Sequence, residues 1–130
     1  MNINELIKKA KSAREHSYSP YSKFKVGAAL KTKNGRVFTG CNIENSSYGL
    51  SICAEREVIF KAISAGEKDL DTIAVVTDSN KLTTPCGACR QVIWEFSKTM
   101  TIIVANLKGK KKEFKIKDLL AHPFGKGSLS

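Results

Sequence analysis

The chain has 130 residues, 42% of them apolar, and carries 22 Lys plus Arg against 12 Asp plus Glu, a net charge of +10. That length holds one domain, expected over residues 1–130, with a real core but not two, and the apolar fraction excludes disorder. Met1-Asn2-Ile3-Asn4-Glu5-Leu6 turns charged at once, which does not fit a secretion signal, and runs such as Ile102-Ile103-Val104-Ala105 are too short to span a bilayer; a soluble, cytoplasmic protein is expected.

From Asn4 to Ser17, Leu6, Ile7, Ala10 and Ala13 fall at helical spacing, which predicts an amphipathic helix capped by Asn4 and ended by the Ser17-Tyr18-Ser19-Pro20 turn. Phe24, Val26, Ala28 and Leu30 then alternate with Lys25 and Gly27 as in a strand. Asn34-Gly35 is a hairpin signal, so Arg36 to Gly40 should return antiparallel and run on toward Asn42-Ile43-Glu44-Asn45. Cys53 to Ala65 reads as a second helix, stopped by Gly66. Thr72 to Thr77 and Thr101 to Ala105 are short apolar runs, the mark of strands buried on both faces. Between them Cys86 or Gly87 opens a third helix carrying Val92, Ile93 and Phe96. Lys112 to Ile116 reads as an edge strand, and Lys117 to Leu120 as a short helix before Pro123 and a polar tail.

Lys108, Lys110, Lys111 and Lys112 surround Gly109 and read as the solvated tip of a hairpin, while the other lysines are spread along the chain; no polyanion partner is indicated. A helix, a hairpin and then strands alternating with helices predict an α/β fold: a mixed five-stranded sheet covered by helices on both sides, a three-layer α/β/α sandwich.

The chemistry concentrates in Ser51-Ile52-Cys53-Ala54-Glu55-Arg56 and Pro85-Cys86-Gly87-Ala88-Cys89-Arg90-Gln91. Without a secretion signal, a close cysteine pair plus a distant third reads better as a metal site than as disulfides. Three thiols suit a catalytic Zn²⁺ with one position left open. Cys41 is left over: either a small buried residue at a strand end, or a fourth thiolate closing a structural site. A redox role for Cys86 and Cys89 leaves the third cysteine and its neighbouring acid unused.

Cys53 and Cys86/Cys89 each begin a predicted helix, where unpaired N–H groups and the helix dipole stabilise thiolates. At the first turn Glu55 can reach the mouth of the same helix end, as a proton shuttle and not only as a residue interacting with the dipole. Zinc with three thiolates already carries net negative charge, so a compensating cation is needed. Arg56 is the natural candidate, through hydrogen bonds to sulfur, with Arg90 a weaker one; the plainer reading is an ordinary surface arginine. Asn42 and Glu44 lie two apart on a predicted strand and share a face suited to sugar hydroxyls, with Phe24 on the other hairpin strand able to pack against a base or ribose. The plainer reading there is a loop polar pair and a core aromatic.

Four ordered segments resemble the cytidine deaminases of the small, three-cysteine, homotetrameric kind: Ser19 to Leu30, Gly40 to Tyr48, Cys53-Ala54-Glu55-Arg56, and Pro85 to Val92. The resemblance implies hydrolytic deamination of cytidine and 2′-deoxycytidine to uridine and 2′-deoxyuridine, in pyrimidine salvage. It implies one zinc per subunit on Cys53, Cys86 and Cys89, a zinc-bound hydroxide attacking C4, and Glu55 as the acid/base. Asn42 and Glu44 would hold the ribose, Phe24 would pack on the nucleoside, Ala54 would give a backbone contact to the base, and Arg56 would neutralise thiolate charge. Each pocket would be completed from neighbouring subunits by Ser46, Tyr48 and Phe124. The tail departs from the family pattern of Leu-Leu-Pro before the aromatic, reading Leu119-Leu120-Ala121-His122-Pro123-Phe124. Rival readings are a zinc deaminase of cytosine in nucleic acid, one specialised for a cytosine-containing antibiotic, and a non-enzymatic zinc module closed by Cys41. The expected partner is a small nucleoside, with neither nucleic acid nor membrane.

Overall fold

The structure, a computed structural model, describes residues 1–129. Helix α1 (Ile3–Arg14) begins earlier than the sequence predicts: Asn2, not Asn4, is the cap, its side chain accepting the Glu5 N–H at 2.8 Å. Asn4 instead accepts a hydrogen bond from Lys111 Nζ at 2.7 Å. The helix ends at Arg14 because the N–H groups of Glu15, His16 and Ser17 bond back three residues, to Ser12, Ala13 and Arg14, and tighten the chain into the turn. Leu6, Ala10 and Ala13 form its buried stripe.

Strand β1 (Val26–Thr32) and strand β2 (Val37–Cys41) form the antiparallel hairpin signalled by Asn34-Gly35, with Gly35 at φ +91°. Only glycine adopts that conformation at no steric cost. After α2 (Ala54–Ser64), β3 (Leu70–Thr77) pairs antiparallel with β1 and parallel with β4 (Thr101–Asn106). Helix α3 (Gly87–Phe96) lies between β3 and β4 in sequence, and β5 (Lys111–Lys115) closes the far edge, followed by the four-residue α4 (Ile116–Leu119). The sheet order is β2-β1-β3-β4-β5, the mixed five-stranded arrangement expected.

Alternation along the central strands assigns the two faces. Ala28, Leu30, Ile73, Val75, Ile102 and Val104 pack with residues of α2 and α3 on one side. Ala29, Ala74, Val76, Ile103 and Ala105 pack with Leu6 and Ala10 of α1 on the other. The result is the three-layer α/β/α sandwich, with the central strands apolar on both faces. Gly27 marks where α1 presses on β1: a Cβ there would lie 2.0 Å from the Ala10 carbonyl oxygen. Among the described residues no helix is long and apolar enough to cross a membrane.

Candidate metal centre and cleft

The two cysteine-bearing helices start as the sequence indicates, with Cys53 the N-cap of α2 and Cys86 the N-cap of α3. Their backbone carbonyls accept the first helical bonds, from Glu57 N and Arg90 N at 3.0 Å each. Neither sulfur is spent on capping its own helix. Cys89 sits in the first turn of α3, so three thiols from two helix mouths converge.

The Sγ atoms of Cys53 and Cys86 are 3.9 Å apart, those of Cys86 and Cys89 3.4 Å, and all three lie within 4.8 Å of one another. Tetrahedral zinc with bonds of about 2.3 Å requires neighbouring sulfurs about 3.8 Å apart. The donor set and its spacing fit zinc. Cys41 does not belong to the cluster: it is buried at the end of β2, its N–H donating to Glu57 Oε1 at 3.3 Å. Burial also pushes its thiol pKa up, which disfavours a thiolate. The reading in which Cys41 closes a four-thiolate site is therefore corrected by the geometry.

The Cys53 thiol pKa is pulled down, by the hydrogen bond from Cys89 first and then by Arg56, whose Nη2 donates to Cys53 Sγ at 3.6 Å. The Cys89 pKa is pushed up by the same shared hydrogen bond and by burial. Glu55 is only 6% exposed, and burial pushes its carboxyl up to about 7, with the Cys53 charge a further cause. A carboxyl poised near neutrality beside a metal site can both accept and return a proton. Arg90, the weaker candidate for neutralising sulfur, does something else. Its guanidinium bonds Pro85 O, Leu119 O and Thr84 Oγ1 at 2.7–2.8 Å, pinning the loop before Cys86 to the C-terminal helix.

One cleft of about 440 Å³ joins this centre to the hairpin. Cys53, Ala54, Glu55, Arg56 and Cys86 line one end, and Phe24, Asn42, Glu44 and Tyr48 also line it. Phe24 is not on a strand, as the sequence suggests, but precedes β1; Asn42 Nδ2 donates to its carbonyl at 2.8 Å. Asn42 and Glu44 likewise lie just past β2, held by Ile43, which bridges to both Tyr18 and Ile52.

The buried Asn42 amide has a fixed orientation. Its Oδ1 accepts from Val26 N at 3.0 Å and from the Ser17 hydroxyl, leaving one Nδ2 hydrogen uncommitted. Glu44 accepts from Tyr21 N and Ser22 N at 3.0 and 3.1 Å and from the Ser22 hydroxyl, which holds its carboxyl below the usual range. The cleft thus offers an amide donor beside a carboxylate acceptor. Ser46 is exposed and Phe124 is 58% exposed in the tail, its carbonyl accepting from Gln91 Nε2; neither is among the residues lining this cleft. Sequence reasoning missed the clamp residues Ser17, Tyr21 and Ser22, and it missed the β3 residues Val75 and Thr77, which line the cleft. Only the Ser17-to-Phe24 segment, with three serines, carried a signal for the former.

Two helix mouths aiming three thiols at one point, with a buried acid beside them, define an α/β/α protein with a zinc-fitting catalytic centre. Comparison with known proteins narrows that class. Residues 1–106 match the family described as "Cytidine and deoxycytidylate deaminase zinc-binding region". A cytidine deaminase of Sporosarcina psychrophila is 48% identical, the match covering 100% of this chain and 96% of its own. One of Halalkalibacterium halodurans is 50% identical over 95% of each chain. The crystal structure of cytidine deaminase from Burkholderia pseudomallei superposes with a TM-score of 0.93 at 47% identity, covering 95% of this chain and 100% of that one. The chain belongs to the cytidine and deoxycytidylate deaminase family, and it is an enzyme of that family.

Proposed function

We propose that this enzyme deaminates free cytidine and 2′-deoxycytidine hydrolytically, giving uridine or 2′-deoxyuridine and ammonia, a reaction of pyrimidine salvage in the cytoplasm. The observation that carries the reading is the shared cleft: a buried, protonatable Glu55 beside three clustered thiols, with Asn42 and Glu44 lining the same space. A zinc ion on Cys53, Cys86 and Cys89 would supply Lewis acidity, one ion per chain, making water nucleophilic at neutral pH.

Glu55 takes a proton from the attacking water and delivers it to ring nitrogen N3 as the C4–O bond forms. It then carries the second proton to the exocyclic amine, and the C4–N bond breaks with ammonia leaving. Arg56, bonded to Cys53 Sγ, offsets the charge of the thiolates. Asn42 and Glu44 suit a sugar hydroxyl, which accepts from the amide and donates to the carboxylate. Phe24 packs on the nucleoside, and Ala54 offers its backbone to the base. Ser46, Tyr48 and Phe124 complete the pocket of a neighbouring subunit in a homotetramer, each chain acting as one domain over residues 1–130.

The test is ammonia release from cytidine, 2′-deoxycytidine and a cytosine-containing single-stranded oligonucleotide. Turnover of both nucleosides and not of the oligonucleotide is expected. Activity confined to the oligonucleotide would overturn the reading in favour of a nucleic-acid deaminase, which the net charge of +10 would assist.

A further inference from the structure

Buried polar side chains in this protein find partners almost everywhere. Ser97 donates to Leu70 O at 3.1 Å, Thr72 to Asp71 at 3.1 Å, and Asn106 to Ser79 O at 3.0 Å. Among the described residues, two buried side-chain polar atoms have none: Arg56 Nε and Thr77 Oγ1. Both residues line the same cleft. Arg56 belongs to the metal centre already described. Thr77 does not.

Thr77 is the last residue of β3 and only 2% exposed. Two residues beyond Val75, it continues the row Ile73–Val75 on the sheet face that packs against α2 and α3. Its backbone is committed to the ladder, opposite Val26 on one side and Asn106 on the other. Thr77 therefore stands where the apolar core gives way to the cleft, at the carboxyl end of the parallel β3–β4 pair. Ligands of open α/β sheets bind beyond such ends. A strand position facing an apolar core would ordinarily hold Val, which has the shape of Thr without the hydroxyl. A buried hydroxyl with no partner destabilises the protein that carries it.

We infer that Thr77 is a substrate-positioning residue, whose hydroxyl is left unpartnered in the free enzyme and is hydrogen-bonded only when the nucleoside fills the cleft. The inference rests on the proposed reaction and adds a residue to it. It carries an unusual signature, because stability and affinity move in opposite directions. Removing the hydroxyl relieves an unmet hydrogen bond in the free protein and deletes a contact to the bound substrate.

The experiment compares the zinc-loaded wild type with Thr77→Val and Thr77→Ser, measuring Tm without ligand and kcat and KM for cytidine. Thr77→Val should raise Tm by about 3 °C. It should also raise KM roughly three- to tenfold with kcat retained, the loss of one neutral hydrogen bond. Thr77→Ser, which keeps the hydroxyl, should hold KM within about twofold of wild type. An unchanged KM in Thr77→Val, or a fall in its Tm, would overturn the inference, since either assigns the hydroxyl a purely structural role. A wild type that turns over no cytidine would instead sink the proposed reaction, and this assignment with it.

Discussion

Glu55 and Glu44 show how one fold shifts two glutamates in opposite directions. Burial pushes Glu55 up to about 7, whereas the Ser22 hydroxyl and the Ser22 and Tyr21 amides hold Glu44 ionised below the usual range. For Glu44 the folded pKa is the lower one, so its clamp stabilises the hairpin entry above the unfolded value. That contribution is lost as pH falls through the depressed pKa. In Ser22→Ala the Glu44 carboxyl, followed by its carbon NMR resonance, should titrate at higher pH than in the wild type. Superimposable titrations in wild type and variant would show that Ser22 is not the cause. At the metal centre, Arg56→Gln removes the donor to Cys53 Sγ. Zinc retention or turnover should fall about tenfold or more, read by metal analysis after dialysis against a chelator and by initial rate. Both values unchanged would discard Arg56 as the compensating charge.

The elements matter as carriers of these groups. Helix α2, which brings Cys53, Glu55 and Arg56, is anchored to the edge strand β2 by two side chains: Lys61 Nζ donates to Thr39 O at 2.7 Å, and Glu57 Oε1 accepts from Cys41 N. These fill outward hydrogen-bonding groups that an edge strand would otherwise leave open. On the other face, α1 rests directly on Gly27. Gly27→Ala would place Cβ 2.0 Å from Ala10 O and 2.5 Å from Arg14 N, both backbone atoms that move only if the helix moves. The expected cost is about 3 kcal/mol or more, visible as a lower urea midpoint; an unchanged midpoint would mean that α1 is free to lift from the sheet.

The elements were legible in the sequence because periodicity and turn chemistry are local. Leu6, Ala10 and Ala13 announce α1, and Asn34-Gly35 announces the hairpin. The three zinc-fitting cysteines and Glu55 were legible too, because their spacing survives as spacing at two helix starts. What stayed hidden depends on contacts distant in sequence. Phe24 leaves the strand because Asn42, 18 residues on, bonds its carbonyl. Arg90 turns from sulfur because Leu119, 29 residues on, offers a carbonyl. Thr77 read as one more residue of a buried strand until the cleft was seen to open beside it.

At the scale of the whole molecule, Tyr48, which lines the cleft, belongs to a set of exposed apolar side chains. Tyr21 is 46% exposed, Tyr48 75% and Leu50 72%, with Tyr21 and Tyr48 packed edge to face at 5.9 Å. Such a patch is characteristic of a surface that another chain covers, in keeping with the proposed tetramer. Sedimentation equilibrium should give four chains per particle; a fully active monomer would show that each pocket is complete without its neighbours.

The most direct measurement is the fall in ultraviolet absorbance as purified enzyme meets cytidine, made on wild type and Glu55→Gln with the zinc content of each determined on the same samples. The account predicts one zinc per chain in both and a rate at least about 100-fold lower in the variant. A zinc-loaded Glu55→Gln enzyme working at the wild-type rate, or a wild type that is active with no zinc bound, would contradict it.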